Sequence, residues 1–283
     1  MTAPLATAEG TSRYADLNGF RLHYHDVGEG PVLLMLHGGG PGASAWSNFK
    51  QNVPALAPGF RLLLVDQPGF GLSDKPEHDR PQHGLTAELL VALLDELGIE
   101  KATPVGNSMG GAASLEMALD YPVRVDRLIL MAPAGGSLQI TSQLTAEAKI
   151  LFTYYEGPGA SIERTKELFN ALAYDGAGVP EETLRERYEA AIDPAAMAYN
   201  RRMFGSWDKL GPQHWKRVHE INHETLLIWG REDLVLTLDS SLHMLHQIRN
   251  ARLVVFPKCG HWCQLEAARQ FENQIISFMA ETA

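Results

Sequence analysis

Ser108 stands in the run GNSMGG, residues 106–111, with the spacing G-x-S-x-G. That spacing suits a nucleophile on a sharp strand-to-helix turn. Small neighbours let the backbones approach, and a strained serine exposes its hydroxyl at the helix N-terminus. A serine hydroxyl needs a base within hydrogen-bond reach, and the base needs a third group to fix its tautomer. Two downstream loops supply these groups. The apolar run TLLIW leads into GREDLV with Asp233, and RLVVF leads into PKCGHW with His261. Glu232 and Asp239 stand close enough in sequence to serve as the acid instead.

Acyl-transfer chemistry also needs backbone N–H donors aimed at the developing oxyanion. HGGGPG, residues 37–42, follows an apolar run and is rich in glycine. It suits one donor from Gly39 or Gly40, with Met109 after the nucleophile as the other. A phosphate-binding loop fits poorly, because the Lys-Ser/Thr pair of a P-loop and the spacing of a dinucleotide fingerprint are both missing. Cys259, His261 and Cys263 lie close together, but no second ligand pair with finger-like spacing accompanies them, so no metal site is expected. His243 and His246 read as the exposed side of a helix.

Short apolar runs at 31–36, 60–65, 103–105, 128–131, 225–229 and 253–256 alternate with helical stretches at 84–97, 109–120, 238–248 and 267–279. Continuous apolar strands separated by helices imply a parallel sheet covered on both faces. Residues 20–27 alternate apolar and polar, as a half-exposed antiparallel edge would. The expected class is α/β, mostly parallel, with the three chemical residues all at the carboxyl edge of one sheet. Chain order serine, acid, histidine is similar to that of the α/β-hydrolase fold. The pattern breaks at 136–222, which turns helical and aromatic-rich, with EGPGA at 156–160 and DGAGVP at 175–180 dividing it. The expectation is a core of residues 1–135 and 223–283 and a helical cap of residues 136–222. Such a cap would enclose an apolar pocket at the sheet's carboxyl edge. The plainer alternative is that its rings are only the core of a helical subdomain.

The chain has 283 residues, 45% hydrophobic and 20% charged, with a formal net charge of −10. Excess carboxylates argue against nucleic acid or an anionic membrane as partner. Apolar runs fall far short of the roughly 18 residues of a membrane span. The N-terminal MTAPLATAEG has neither a basic nor an apolar signal region, so a cytoplasmic location is expected. Cys259 and Cys263 are the only cysteines, and their four-residue spacing disfavours a structural disulfide.

Over nearly its whole length the chain resembles the meta-cleavage product hydrolases, which split carbon-carbon bonds in ring-opened aromatic catabolites. LHGGGPGASAWSNF, VDQPGFGLSDKP, GNSMGG, ALDYP, RLILMAP, LLIWGREDLV and VFPKCGHW carry the resemblance. The triple glycine followed by Asn48, and Asn107 before the serine, are its most specific features. The resemblance implies that Gly39, Gly40, Asn48, Asn107, Arg187 and Trp262 contact substrate. It implies a 2-hydroxy-6-oxohexa-2,4-dienoate-type substrate, ketonised and then cleaved by water, with no cofactor. A planar Arg187 fork suits the carboxylate and enolate of such a molecule. Closed symmetric association is the default for enzymes of this kind. The sequence departs from the family in residues 136–173, at Ala177 where a polar residue often contacts substrate, and in REDLVLTLD, which lacks the usual proline. These departures leave the acyl-side substituent open. A carboxylesterase or lactonase with the same triad, or a small-molecule receptor on the same scaffold, are the alternative functions.

Overall fold

The computed structural model describes residues 6–136, 144–176, 179–205 and 210–281. An eight-stranded sheet runs in the order β1-β2-β4-β3-β5-β6-β7-β8. The strands are β1 (Ser12–Leu17), β2 (Phe20–Val27), β3 (Val32–Leu36), β4 (Arg61–Val65), β5 (Thr103–Asn107), β6 (Leu128–Met131), β7 (Thr225–Gly230) and β8 (Ala251–Phe256). From β4 to β8 all pairings are parallel, and β2 pairs antiparallel with both β1 and β4. The α/β expectation holds.

Burial on both faces explains why the central strands read as unbroken apolar runs. Leu34, Leu36, Leu63 and Val65 pack on one side against Leu89, Leu93 and Leu115 of the helices Gln82–Glu96 and Met109–Asp120. Leu33, Met35, Leu62 and Leu64 point the other way, towards Phe49 and the helix Ala268–Ala280 through Phe271, Ile275 and Phe278.

One expectation is corrected at the sheet's margin. Residues 20–27 do not form the edge, because β1 covers them. Leu17 pairs with Phe20 across a two-residue turn. Asn18 and Gly19 occupy it with φ of 51° and 84°. Asn-Gly tolerates positive φ at both positions, which suits the tight hairpin turn that matches strand twist.

Between β6 and β7 the described residues carry no strand. They form the helices Ala146–Phe152, Ile162–Leu172, Glu181–Ala191 and Pro194–Phe204, then short 3-10 turns back to the sheet. Tyr154, Leu168, Phe169, Leu172 and Leu184 make an apolar cluster that also takes in Val235 and Trp262 from the loops after β7 and β8. Among the described residues no helix is long and apolar enough to cross a membrane.

Candidate active site

Strand β5 ends at Asn107, the helix Met109–Asp120 begins at once, and Ser108 between them has φ 51° and ψ −112°. A non-glycine residue in such a conformation costs on the order of 1–3 kcal/mol and persists only when its surroundings over-determine it. Here they do. Ser108 N–H donates to Met131 O at 2.9 Å, and Ser108 O accepts from Ala112 and Ala134 N–H at 2.9 Å each. The flanking glycines are steric necessities. A Cβ on Gly110 would fall 2.2 Å from Leu36 O, and one on Gly106 would fall 2.4 Å from Gly110 O.

Asp233 follows β7 and His261 follows β8. Asp233 Oδ1 accepts from the N–H groups of Val235 (2.9 Å) and Leu236 (3.0 Å), and Oδ2 meets His261 Nδ1 at 2.7 Å. Both side chains are buried. With Nδ1 donating to the carboxylate, Nε2 is left with its lone pair and can take a proton. The other candidate acids are occupied differently. Glu232 accepts from Cys259 N–H at 3.1 Å and pairs with Arg231, and Asp239 opens the helix Asp239–Gln247.

Gly38 to Gly40 lie across this elbow. A Cβ on Gly38 would come 3.4 Å from Ser108 Cβ, on Gly39 3.2 Å from Met109 Sδ, and on Gly40 3.7 Å from Arg187 Nη2. Gly40 has φ 120°, a conformation open to glycine. Met109 is the first residue of its helix, where backbone N–H groups lack intrahelical partners and favour negative charge.

Arg187 comes from the helix Glu181–Ala191, whose buried face is Leu184, Arg187 and Ala191. A cation on an apolar helix face is costly unless something anionic meets it. Its Nε donates to Pro41 O at 2.5 Å, and among the described residues no carboxylate pairs with it. Burial pushes its pKa down to about 10, against the favourable influence of Tyr154 and Tyr155. Arg164, Arg201 and Arg202 instead reach the main-chain oxygens of Thr153, Tyr155 and Pro76.

The other residues implied by resemblance make contacts of their own. Asn107 Nδ2 donates to His261 O (3.1 Å) and Met131 O (3.4 Å), leaving its buried Oδ1 without a partner. Asn48 donates to Ser44 O at 2.9 Å and accepts from Gln264 at 3.5 Å. Trp262 packs its ring at 5.0 Å from Phe169 within the apolar cluster that also holds Tyr154 and Leu168. Cys259 and Cys263 are free, 3.7 Å apart at sulfur. The Cys259 contact and burial both raise the Cys263 thiol well above its ordinary value. Ala177 and Trp207 lie outside the described residues.

The aromatic residues of 136–222 divide between the two expectations. Tyr154 and Tyr155 hydrogen-bond within the same segment, to Thr165 and Ala191, and Tyr199 bonds to Gln82 outside it. Phe204 is met at the glycine loop, its Cζ 3.2 Å from a Cβ built on Gly39, and Phe152 packs edge-on against it at 5.3 Å.

Several residues to which the sequence assigns no role support the site. Glu266 accepts from the N–H groups of Gly260, Trp262 and Tyr174, at 2.6 Å for the last, and so braces the His261 loop. Asp66 accepts from His23, Ala45 N–H and Leu72 N–H, joining the loops after β3 and β4. His37 and Gln67 link the same two loops.

Residues 33–274 match the model of the alpha/beta hydrolase family. A 2-hydroxy-6-oxo-6-phenylhexa-2,4-dienoate hydrolase of Comamonas testosteroni is 38% identical over 97% of this chain and 98% of its own. The chain belongs to the meta-cleavage product hydrolases. This hydrolase is also 38% identical, over 95% of its length and 96% of the relative's, to a 2-hydroxy-6-oxononadienedioate/2-hydroxy-6-oxononatrienedioate hydrolase of the same organism. A meta-cleavage product hydrolase from Pseudomonas fluorescens superimposes on it with a TM-score of 0.85 at 35% identity, covering 94% of this hydrolase and 97% of that chain.

Proposed function

We propose that this chain hydrolyses a carbon-carbon bond in a 2-hydroxy-6-oxohexa-2,4-dienoate-type ring-fission product of aromatic degradation. The observation that carries the reading is Arg187, buried on an apolar helix face with no carboxylate partner among the described residues, beside the glycine loop that spans Ser108. An ester needs no such cation. A substrate bearing both a carboxylate and a developing enolate does, and a planar guanidinium suits both groups.

In the first stage the dienol ketonises, and His261 helps move the proton. Water is then added across the side-chain ketone, with Ser108, His261 and Asp233 acting as one unit. Backbone N–H groups of Gly39 or Gly40 and of Met109 stabilise the tetrahedral oxyanion. The carbon-carbon bond breaks as this intermediate collapses to a carboxylic acid. The bonding pair leaves as a dienolate whose charge is spread into the keto acid held by Arg187, with Asn48, Asn107 and Trp262 completing the substrate's surroundings. No cofactor enters, because the substrate's conjugated keto acid is the electron sink.

The reading includes residues 136–222 as a cap over residues 1–135 and 223–283. It also includes a cytoplasmic location, in keeping with two unpaired cysteines, and a closed homo-oligomer. The relatives cleave products with a phenyl or a carboxylate-bearing side group. A panel of ring-fission products varied at that group, followed by loss of visible absorbance beside 4-nitrophenyl acetate, tests the proposal. Turnover of the ester with none of the panel would give the esterase reading instead, and ligand binding without turnover of either would give the receptor.

A further inference from the structure

His37 is wholly buried beneath the loop that it begins. The main-chain N–H of Gln67 donates to its Nε2 at 3.0 Å. A backbone N–H can only donate, so Nε2 must be the unprotonated nitrogen and the ring proton must sit on Nδ1. Nδ1 is 2.8 Å from the carbonyl oxygen of Gly38, which can only accept. The tautomer is therefore settled by its partners. Gln67 closes the arrangement from the other side, its Nε2 donating to His37 O at 2.6 Å. The ring packs edge-on against Phe70 at 5.3 Å. Burial also pushes its pKa down, which keeps the imidazole neutral.

A peptide group is planar, and in a trans peptide its C=O and N–H point in opposite directions. The described chain contains no cis peptide bond. Holding the Gly38 carbonyl thus fixes the direction of the N–H that follows it, which belongs to Gly39. Glycines on both sides of this peptide, with the φ of 120° at Gly40, offer little resistance to its rotation. An external restraint is needed, since a donor supports charge development only if it is aimed in advance.

We propose that His37 is a positioning residue of the oxyanion hole, its Nδ1–H locking the Gly38-Gly39 peptide so that Gly39 N–H faces the oxygen above Ser108. The proposal rests on reading Gly39 as an oxyanion donor. His37 itself never touches substrate.

Replacement tests it, with an ester substrate as well as a ring-fission product, because both reactions use the same hole. His37→Leu removes the donor and keeps bulk. His37→Asn keeps a short side-chain N–H near the place of Nδ1. Loss of one oxyanion donor typically costs about 100-fold or more in kcat. His37→Leu should lose about that factor with KM within a few-fold. Its affinity for a boronic acid that mimics the tetrahedral state should fall in parallel, while affinity for acetate is kept. His37→Asn should recover at least about tenfold of the kcat. In the unaltered protein, nitrogen-15 spectra of the imidazole should report a protonated Nδ1 and a bare Nε2 at all pH values where the fold persists. If wild-type protein turns over the ester but no ring-fission product, the substrate reading fails while the His37 effect on the ester still decides the proposal. Wild-type kcat in a folded His37→Leu, loss of kcat without loss of boronic acid affinity, or an Nε2-protonated ring would each overturn it. The spectra can overturn the proposal even if His37→Leu does not fold, and the His37→Asn kinetics then carry the test.

Discussion

Asn107, the neighbour of the candidate nucleophile, donates its side-chain N–H to the main-chain oxygen of His261, the candidate base, at 3.1 Å. One hydrogen bond thus sets the spacing between two loops that are 154 residues apart in the chain. Asn107→Leu would leave the carbonyl of His261 without that donor, while Met131 O keeps the N–H of Ser108, at a cost of about 1–3 kcal/mol. It should also lower the single-turnover rate by about tenfold or more, as misalignment of reacting groups does. Urea unfolding and rapid-quench rates measure the two effects. An unchanged rate would mean that Glu266 and Leu172 suffice to place the histidine.

Asp233→Asn should cut the rate by orders of magnitude, because the amide no longer fixes the Nδ1–H tautomer of His261. Ser108→Ala and His261→Ala should cost as much, and the double variants little more than the singles, since the groups act as a unit. Glu232→Gln should stay within about tenfold of wild type, as Glu232 faces Cys259 N–H and Arg231 rather than His261. A collapse of rate in Glu232→Gln alone would reassign the acid.

Removal of Arg187 should be selective. Arg187→Gln is expected to lose about a hundredfold on a ring-fission product, the usual effect of removing one water-excluded contact to developing charge. On 4-nitrophenyl acetate it should change only a few-fold. Equal losses on both substrates would mean that its bond to Pro41 O serves the fold and not the substrate.

Acid should weaken the protein before its carboxylates titrate. Burial, helped by a neighbouring histidine in each case, holds His83 at a pKa of about 3 and His25 at about 4. In the unfolded chain each titrates near roughly 6.5. Between these values the unfolded state binds protons that the native state refuses, so stability rises with pH and falls on acidification from neutrality. The slope is at most about 1.4 kcal/mol per pH unit for each histidine. Asp66 adds to this at lower pH. Burial raises its pKa, but the hydrogen bond from His23, nearby His37 and the N–H groups of Ala45 and Leu72 hold it below the ordinary value. Its contribution is present above roughly pH 4 and is lost as pH falls through the folded value. Urea unfolding of His83→Leu at pH 7, 6 and 5 should show a shallower decline than wild type. Parallel curves would mean that His83 is protonated in the fold.

Ser108, Asp233 and His261 were legible because each sits at the end of an apolar strand, and parallel strands bring their carboxyl ends to one edge. Arg187 needed the family resemblance, since nothing in LRERYEA distinguishes a buried arginine from a solvated one. Strand β1 is not legible in the same way, because SRYADL is polar and carries no continuous apolar run. Glu266, Asp66, Gln67 and the role of His37 were beyond sequence reasoning. Each acts through contacts with main-chain atoms whose positions are set by the rest of the fold, and main-chain atoms leave no mark on residue identity. The aromatic stretch of residues 136–222 was only half readable, because a ring that stabilises a helix pair and a ring that walls a pocket are the same residue type.

The bond from His261 N–H to Leu172 O, at 2.7 Å, and the acceptance of Tyr174 N–H by Glu266 tie the last turn of the helix Ile162–Leu172 to the loop that carries the base. Lifting that helix end away from the sheet must break both bonds, while Asn107 still holds the carbonyl of His261. Any displacement of that helix end would therefore be felt directly at the loop that carries the base.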